Sequence, residues 1–164
     1  MATSIADYLA RDHDRLDGLL RKAGSGMSFD MDAYAAFRQG ILRHIGIEEK
    51  ILLPAIMQVQ GGAPSADAER LRLDHGALVA LLVPPPSDAI IRTLRHILGP
   101  HNALEEGETG IYRVLDTLYR TDTAALLERM IAASEVPVMP FNGRPDVLDA
   151  TRRALARAGY RLEE

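Results

Sequence analysis

The chain has 164 residues and a mass of 18.0 kDa, enough for one domain with a single sizeable core. Nineteen Lys and Arg against 23 Asp and Glu leave a net charge of −4, which argues against nucleic-acid recognition through a basic surface. Cysteine is absent, so disulfides, thiolate zinc sites, iron–sulfur clusters and cysteine nucleophiles are excluded.

Met1 to Ile5 lacks the basic and apolar regions of a signal peptide, and no apolar run is long enough to span a bilayer. The expectation is a soluble, cytoplasmic protein without membrane partners. Apolar spacing predicts helices separated by Gly, Pro and Asp-rich breaks. The first starts near Ser4, with Asp7 completing a capping-box variant, and ends near Gly24; its stripe is Ile5, Tyr8, Leu9, His13, Leu16 and Leu20. The second runs from about Asp32 to Gln60, with Pro54 expected to kink it; its stripe includes Tyr34, Phe37, Ile41, His44, Ile45, Glu48 and Leu52. The third follows Pro64-Ser65 and stops at Pro84; its stripe is Leu71, His75, Leu78 and Leu82. The fourth opens at Ser87-Asp88 and extends toward Tyr119 through Leu94, Leu98, His101, Glu105, Tyr112 and Leu115, with Pro100 expected to kink or interrupt it. A shorter helix follows from about Asp122 to Ser134, then a proline-rich loop over 136–145, then a helix over Asp146 to Ala158 stopped by Gly159.

Short connections make neighbouring helices antiparallel. The predicted fold is therefore all-α: an up-and-down four-helix bundle over residues 1–134, with 135–164 as a C-terminal helical extension of the same domain.

Four of the five histidines lie on the apolar stripes, one per helix: His13, His44, His75 and His101. Two of them begin the same pattern, His44-Ile-Gly-Ile-Glu48-Glu49 and His101-Asn-Ala-Leu-Glu105-Glu106. At about 100° per residue, a histidine and the glutamate four residues on share one face. Glu48 and Glu105 thus point inward, while Glu49 and Glu106 turn toward solvent or the helix flank. Burying an unpaired carboxylate costs several kcal/mol, and no Lys or Arg lies near these two on the stripes. Four imidazoles and two carboxylates converging from four helices form a dinuclear metal site. A nitrogen and oxygen donor set without sulfur suits iron, manganese or zinc.

These paired motifs, set between two single histidines, resemble the hemerythrin-like family, also called the HHE cation-binding domain. His44 to Pro54 fits its H-x-x-x-E-E-x-x-L-x-P pattern, and Pro100 to Glu106 fits the second copy, with Tyr112 following. Asp12-His13-Asp14 and Leu73-Asp74-His75 resemble its single-histidine motifs, so the likeness spans roughly residues 4–120. The resemblance implies two non-haem iron ions, one on His13 and His44, the other on His75 and His101, bridged by Glu48 and Glu105. Zinc or manganese are the alternatives. It also implies O2 or NO as small-molecule partners.

Oxygen-carrying members have a further histidine where this chain has Val79. That departure favours redox chemistry, sensing, peroxidic chemistry or plain iron binding over reversible oxygen carriage. The competing function is a metal-responsive regulatory or interaction module without turnover, with the 136–164 tail as its surface and no protein partner identified.

Blander readings stand beside each residue. A lone histidine on an apolar stripe is usually a core residue. Glu49 and Glu106 read as flank residues, either of which could replace a bridging glutamate. His96 reads as a surface histidine that a kink at Pro100 could swing inward. Tyr8, Tyr34 and Tyr112 read as packing, with hydroxyls that could support ligands. Asp12, Asp14, Asp17 and Asp74 read as mostly solvated, a few of them holding an imidazole N–H. No G-x-S-x-G, H-E-x-x-H, P-loop or G-x-G-x-x-G is present, so no hydrolase or nucleotide motif competes.

Overall fold

Ser4 opens the first helix as the periodicity requires: its hydroxyl accepts the Asp7 N–H at 3.0 Å. The computed structural model describes residues 4–24, 26–118 and 122–163, and among these all regular structure is helical. Met1 to Thr3 and Tyr119, which the sequence reading drew on, lie outside the described residues. No described helix is long and apolar enough to cross a membrane.

Helix α1 (Ile5–Ala23) carries Asp7 in its first turn and Arg21 and Lys22 in its last, which suits the helix dipole at both ends. Helix α2 (Met31–Ile47) is capped by Asp30. The expected kink at Pro54 takes another form. A π-helical turn (Glu48–Leu52) follows α2 directly, and the Leu53 N–H reaches back five residues to the Glu48 carbonyl. Helix α3 (Leu53–Val59) then starts with Pro54 in its first turn, where no N–H is needed. The widened turn directly precedes the proline, and it falls on the Glu48-Glu49 pair.

Helix α4 (Ala66–Leu81) is capped by Ser65, and α5 (Asp88–Glu106) by Ser87. Pro100 does not interrupt α5, contrary to expectation. Gly99 precedes it, and without a Cβ the residue before proline loses most of its clash with the ring. The break comes instead at Gly107, whose extended ψ of 166° leaves the helix. The chain folds back there so tightly that a Cβ on Gly110 would lie 2.3 Å from the Glu105 carbonyl oxygen. Helix α6 (Ile111–Leu118) starts from this turn and brings Tyr112 back toward the interior.

Helices α7 (Thr123–Ile131) and α8 (Pro145–Arg157) complete the chain. Arg43 holds the end of α7 by donating to the Met130, Ile131 and Ala133 carbonyls. Arg38 holds the following loop through the Met139 carbonyl at 2.9 Å. Helix α8 lies on α4, with Leu155 and Ala158 in the core. Gly159 then ends it at a φ of +83°, a conformation that favours glycine.

Helix α1 runs antiparallel to α2, since Ala23 meets Asp30 and Asp12 meets His44. It is also antiparallel to α5, since Leu20 meets Arg95 and His13 meets Glu106. The apolar interior divides in two. One cluster holds Leu16, Leu20, Phe37, Ile41, Leu78 and Leu94; the other holds Ile5, Leu9, Ile47, Leu52, Leu71 and Tyr112.

The glycine turn yields a test. Gly110→Ala should cost about 1–3 kcal/mol by overpacking, a fall of roughly 2–4 °C in Tm per kcal/mol at this size. Gly18→Ala, in α1 with nothing within 4 Å, should instead hold or raise Tm. Thermal unfolding of the two variants side by side checks the pair.

Candidate metal centre

All six residues picked out by spacing are buried, each 5% exposed or less. His13 comes from α1, His44 from α2, Glu48 from the π turn, His75 from α4, and His101 with Glu105 from α5. They form two groups of four, His13, His44, Glu48 and Glu105, and Glu48, His75, His101 and Glu105. Within each group the ligand-type atoms lie within 4.8 Å of one another, so each could hold a metal ion.

The two glutamates belong to both groups, and their oxygens are divided between them. Glu48 presents Oε1 to His44 Nε2 at 3.2 Å and Oε2 to His75 Nε2 at 3.1 Å. Glu105 presents Oε2 to His13 Nε2 at 3.4 Å and Oε1 to His101 Nε2 at 3.4 Å. Two ligands of one ion, each about 2.0–2.2 Å from it, lie roughly 3–3.5 Å apart. The spacing is therefore that of donors sharing an ion.

The donor set passes a further test of fit. Glu48 Oε2, Glu105 Oε1 and His75 Nε2 are buried without a hydrogen-bond partner; His75 and Glu48 are close but not aligned to bond. Orphaned buried polar atoms are costly. Three of them facing one another suit a cation.

Every imidazole is held from behind by a carboxylate on its Nδ1. His44 meets Asp12 at 2.8 Å and His75 meets Glu49 at 2.6 Å. His101 meets Asp74 at 3.3 Å and His13 meets Glu106 at 2.5 Å. An ionised carboxylate only accepts, so each Nδ1 carries a proton and each Nε2 faces inward, where its lone pair is free for a metal once the ring is neutral. The pattern closes on itself: α1 orients the histidine of α2, the π turn that of α4, α4 that of α5, and α5 that of α1. The sequence reading left these four carboxylates mostly to solvent or the flank. Glu49 and Glu106 are in neither donor group, and Asp12 and Asp74 both hold imidazoles. The signal was available: each is the chain neighbour of a ligand, about 100° around the helix and so aimed at the next one. Asp14 and Asp17 are exposed as expected.

The remaining candidates fall as follows. Tyr112 is fully buried, and its hydroxyl reaches both Glu48 and Glu105, the ligand-supporting role open to it alongside packing. Tyr34 is buried against Phe37 and Phe141, remote from this chemistry. The Tyr8 hydroxyl lies 3.3 Å from Arg43. His96 is a surface residue, 59% exposed beside Glu163. Val79 is at the surface and in neither donor group. A cleft of about 360 Å³ between α1 and α5 reaches the outer edge of the centre at His13 and Glu106, past Leu98 and Asn102.

Charge in the cluster is balanced by protons. Burial opposes charge on His44, but Glu48 and Asp12 outweigh it and raise its pKa to about 10. Burial opposes charge on His75 too, and Glu48 with Glu49 raises it to about 9. Burial and the Glu48 charge push Glu105 up to about 8. Burial also disfavours charge on Glu48, but His44 and His75 together hold it well below the usual carboxylate range. Burial and the neighbouring His44 lower His13.

A pH dependence follows. His44 and His75 have folded pKa values above their ordinary 6.5. Their contribution is full below about pH 6.5 and is lost as pH rises toward 9 and 10. Glu105, raised from 4.5 to about 8, acts in the same direction. The metal-free protein should therefore lose thermal stability steadily between pH 7 and 10, measurable by calorimetry. Metal, by displacing these protons, should flatten the curve. Separately, Asp12→Asn should weaken metal affinity about 10- to 100-fold, measured by chelator competition.

Comparison with protein-family models, with curated proteins and with solved structures finds no match.

Proposed function

We propose that this chain is a carboxylate-bridged, non-haem di-iron protein of the hemerythrin-like kind, an up-and-down four-helix bundle serving oxygen- or nitric-oxide-linked redox chemistry or sensing. The observation that carries the reading is the division of Glu48 and Glu105 between both histidine pairs. A carboxylate with one oxygen toward each pair is built to bridge.

His13 and His44 would hold one ion, and His75 and His101 the other. Iron there would supply one-electron redox chemistry and positions open to small diatomic molecules. The chain's own work is to fix the donors. The carboxylates on Nδ1 lock tautomer and ring orientation, and they raise the basicity of each Nε2. The flanking apolar clusters exclude bulk water from the bridging oxygens. The sulfur-free donor set suits iron, zinc and manganese alike; iron is preferred on the resemblance of the paired His-x-x-x-Glu-Glu motifs to the hemerythrin-like family.

Elemental analysis of protein expressed with ample iron tests the reading. About two irons per chain are expected, and far fewer in a His44→Ala/His101→Ala double variant. The loaded protein should then change its visible spectrum on exposure to O2 or NO. Zinc alone would point to a structural site, and no metal in the parent would end the proposal.

One contact chain favours the second reading, a metal-responsive module. Arg70 donates to Asp74 and, at 2.8 Å, to the Ala158 carbonyl at the end of α8. Asp74 in turn holds His101. The tail thereby rests on a group that orients a candidate ligand. On this reading metal should protect the 132–144 loop from limited proteolysis. Equal cleavage rates with and without metal would remove its support.

A further inference from the structure

The two donor groups are not equally provided for. Tyr112 Oη lies 2.5 Å from Glu48 Oε1 and 3.0 Å from Glu105 Oε2. It also lies 3.2 Å from His13 Nε2 and 3.5 Å from His44 Nε2. One phenol oxygen is thus within reach of all four donor atoms of the first group. Among the described residues the second group has no equivalent: its Glu48 Oε2, Glu105 Oε1 and His75 Nε2 are buried without a hydrogen-bond partner. Tyr112 is fully buried, and its ring sits in the apolar cluster with Leu9, Ile47 and Leu52. Packed in that cluster, the ring has little room to withdraw. An ion entering between His13 and His44 must therefore displace the hydroxyl from a packed wall or accept its oxygen.

We propose that Tyr112 is a fifth protein donor to the ion held by His13 and His44, which leaves the exchangeable position to the ion held by His75 and His101. The proposal rests on the dinuclear reading above and adds an asymmetry to it. On binding, the phenol O–H bond breaks, the proton passes to water, and an oxygen–metal bond forms; no electron changes hands. The first ion then has His13, His44, Glu48, Glu105 and Tyr112. The second has only His75, His101, Glu48 and Glu105, so a small anion or diatomic ligand binds there.

The test is the spectrum of the ferric, two-iron protein. A phenolate bound to iron(III) gives a visible charge-transfer band, and excitation in that band enhances tyrosine ring modes in the Raman spectrum. The band should be present in the parent, kept in Tyr8→Phe, and lost in Tyr112→Phe with two irons still bound. Ring-deuterated tyrosine should shift the enhanced modes in the parent, which keeps the test valid if Tyr112→Phe fails to fold. Two irons without the band, or a band that survives Tyr112→Phe, overturns the assignment of Tyr112 and leaves the dinuclear reading intact. Failure of the parent to bind two irons overturns both.

Discussion

Two carboxylates buried side by side are the constraint on which the rest of the molecule depends. Glu48 and Glu105 have no exposure, and among the described residues no Lys or Arg forms an ion pair with them. Their effective desolvation penalty is several kcal/mol each unless cations or protons compensate. Four imidazoles placed at 3.1–3.4 Å supply the partners, and these are themselves too polar to be buried alone. That requirement extends outward to Asp12, Glu49, Asp74 and Glu106. The result is a polar layer with an apolar cluster on either side, closed by a ring of hydrogen bonds that ties α1, α2, α4 and α5 together. Such a network is costly when incomplete, because each removed member leaves a buried neighbour unpaired.

The backbone irregularities fall on this layer. The π turn spans Glu48 and Glu49, so one carboxylate turns inward while its neighbour reaches His75 on another helix. The break at Gly107 follows Glu105 and Glu106 directly and delivers Tyr112. Helix distortions at ligand-bearing residues are a recurrent feature of functional helices. Here each has a local cause, Pro54 in one case and the Gly107–Gly110 turn in the other.

Much of this was legible in the sequence, because a 3.6-residue period and an inward polar residue are both one-dimensional signals. The four histidines, Glu48, Glu105, the Ser4, Ser65 and Ser87 starts and the Gly159 stop all follow from spacing or local capping chemistry. Pro100 does not interrupt its helix, for a physical reason. Whether Pro100 breaks a helix depends on its neighbour, and Gly99 removes the clash that a larger residue would create. Gly110 matters because of a carbonyl five residues back, a proximity that exists only in the folded turn. That a few of the aspartates hold an imidazole N–H was legible, but not which ones, nor the roles of Glu49 and Glu106, because their partners lie on other helices and the angle between helices is not written in a single stripe. Tyr112 was legible as a core tyrosine with a hydroxyl free to support ligands, but which groups it reaches depends on the fold at Gly107.

The cluster repeats itself within the chain, and the departures from that repeat distinguish its two halves. Asp12-His13 and Asp74-His75 correspond, as do His44-Glu48-Glu49 and His101-Glu105-Glu106, and each member plays the same part in its half. A wholly equivalent pair of ions would offer incoming ligands no preferred side. Two features break the equivalence. Tyr112 closes the His13–His44 half with a phenol, and Arg70 ties Asp74, behind His101, to the end of α8. The half that lacks a phenol is thus the one whose orienting carboxylate is held by the tail.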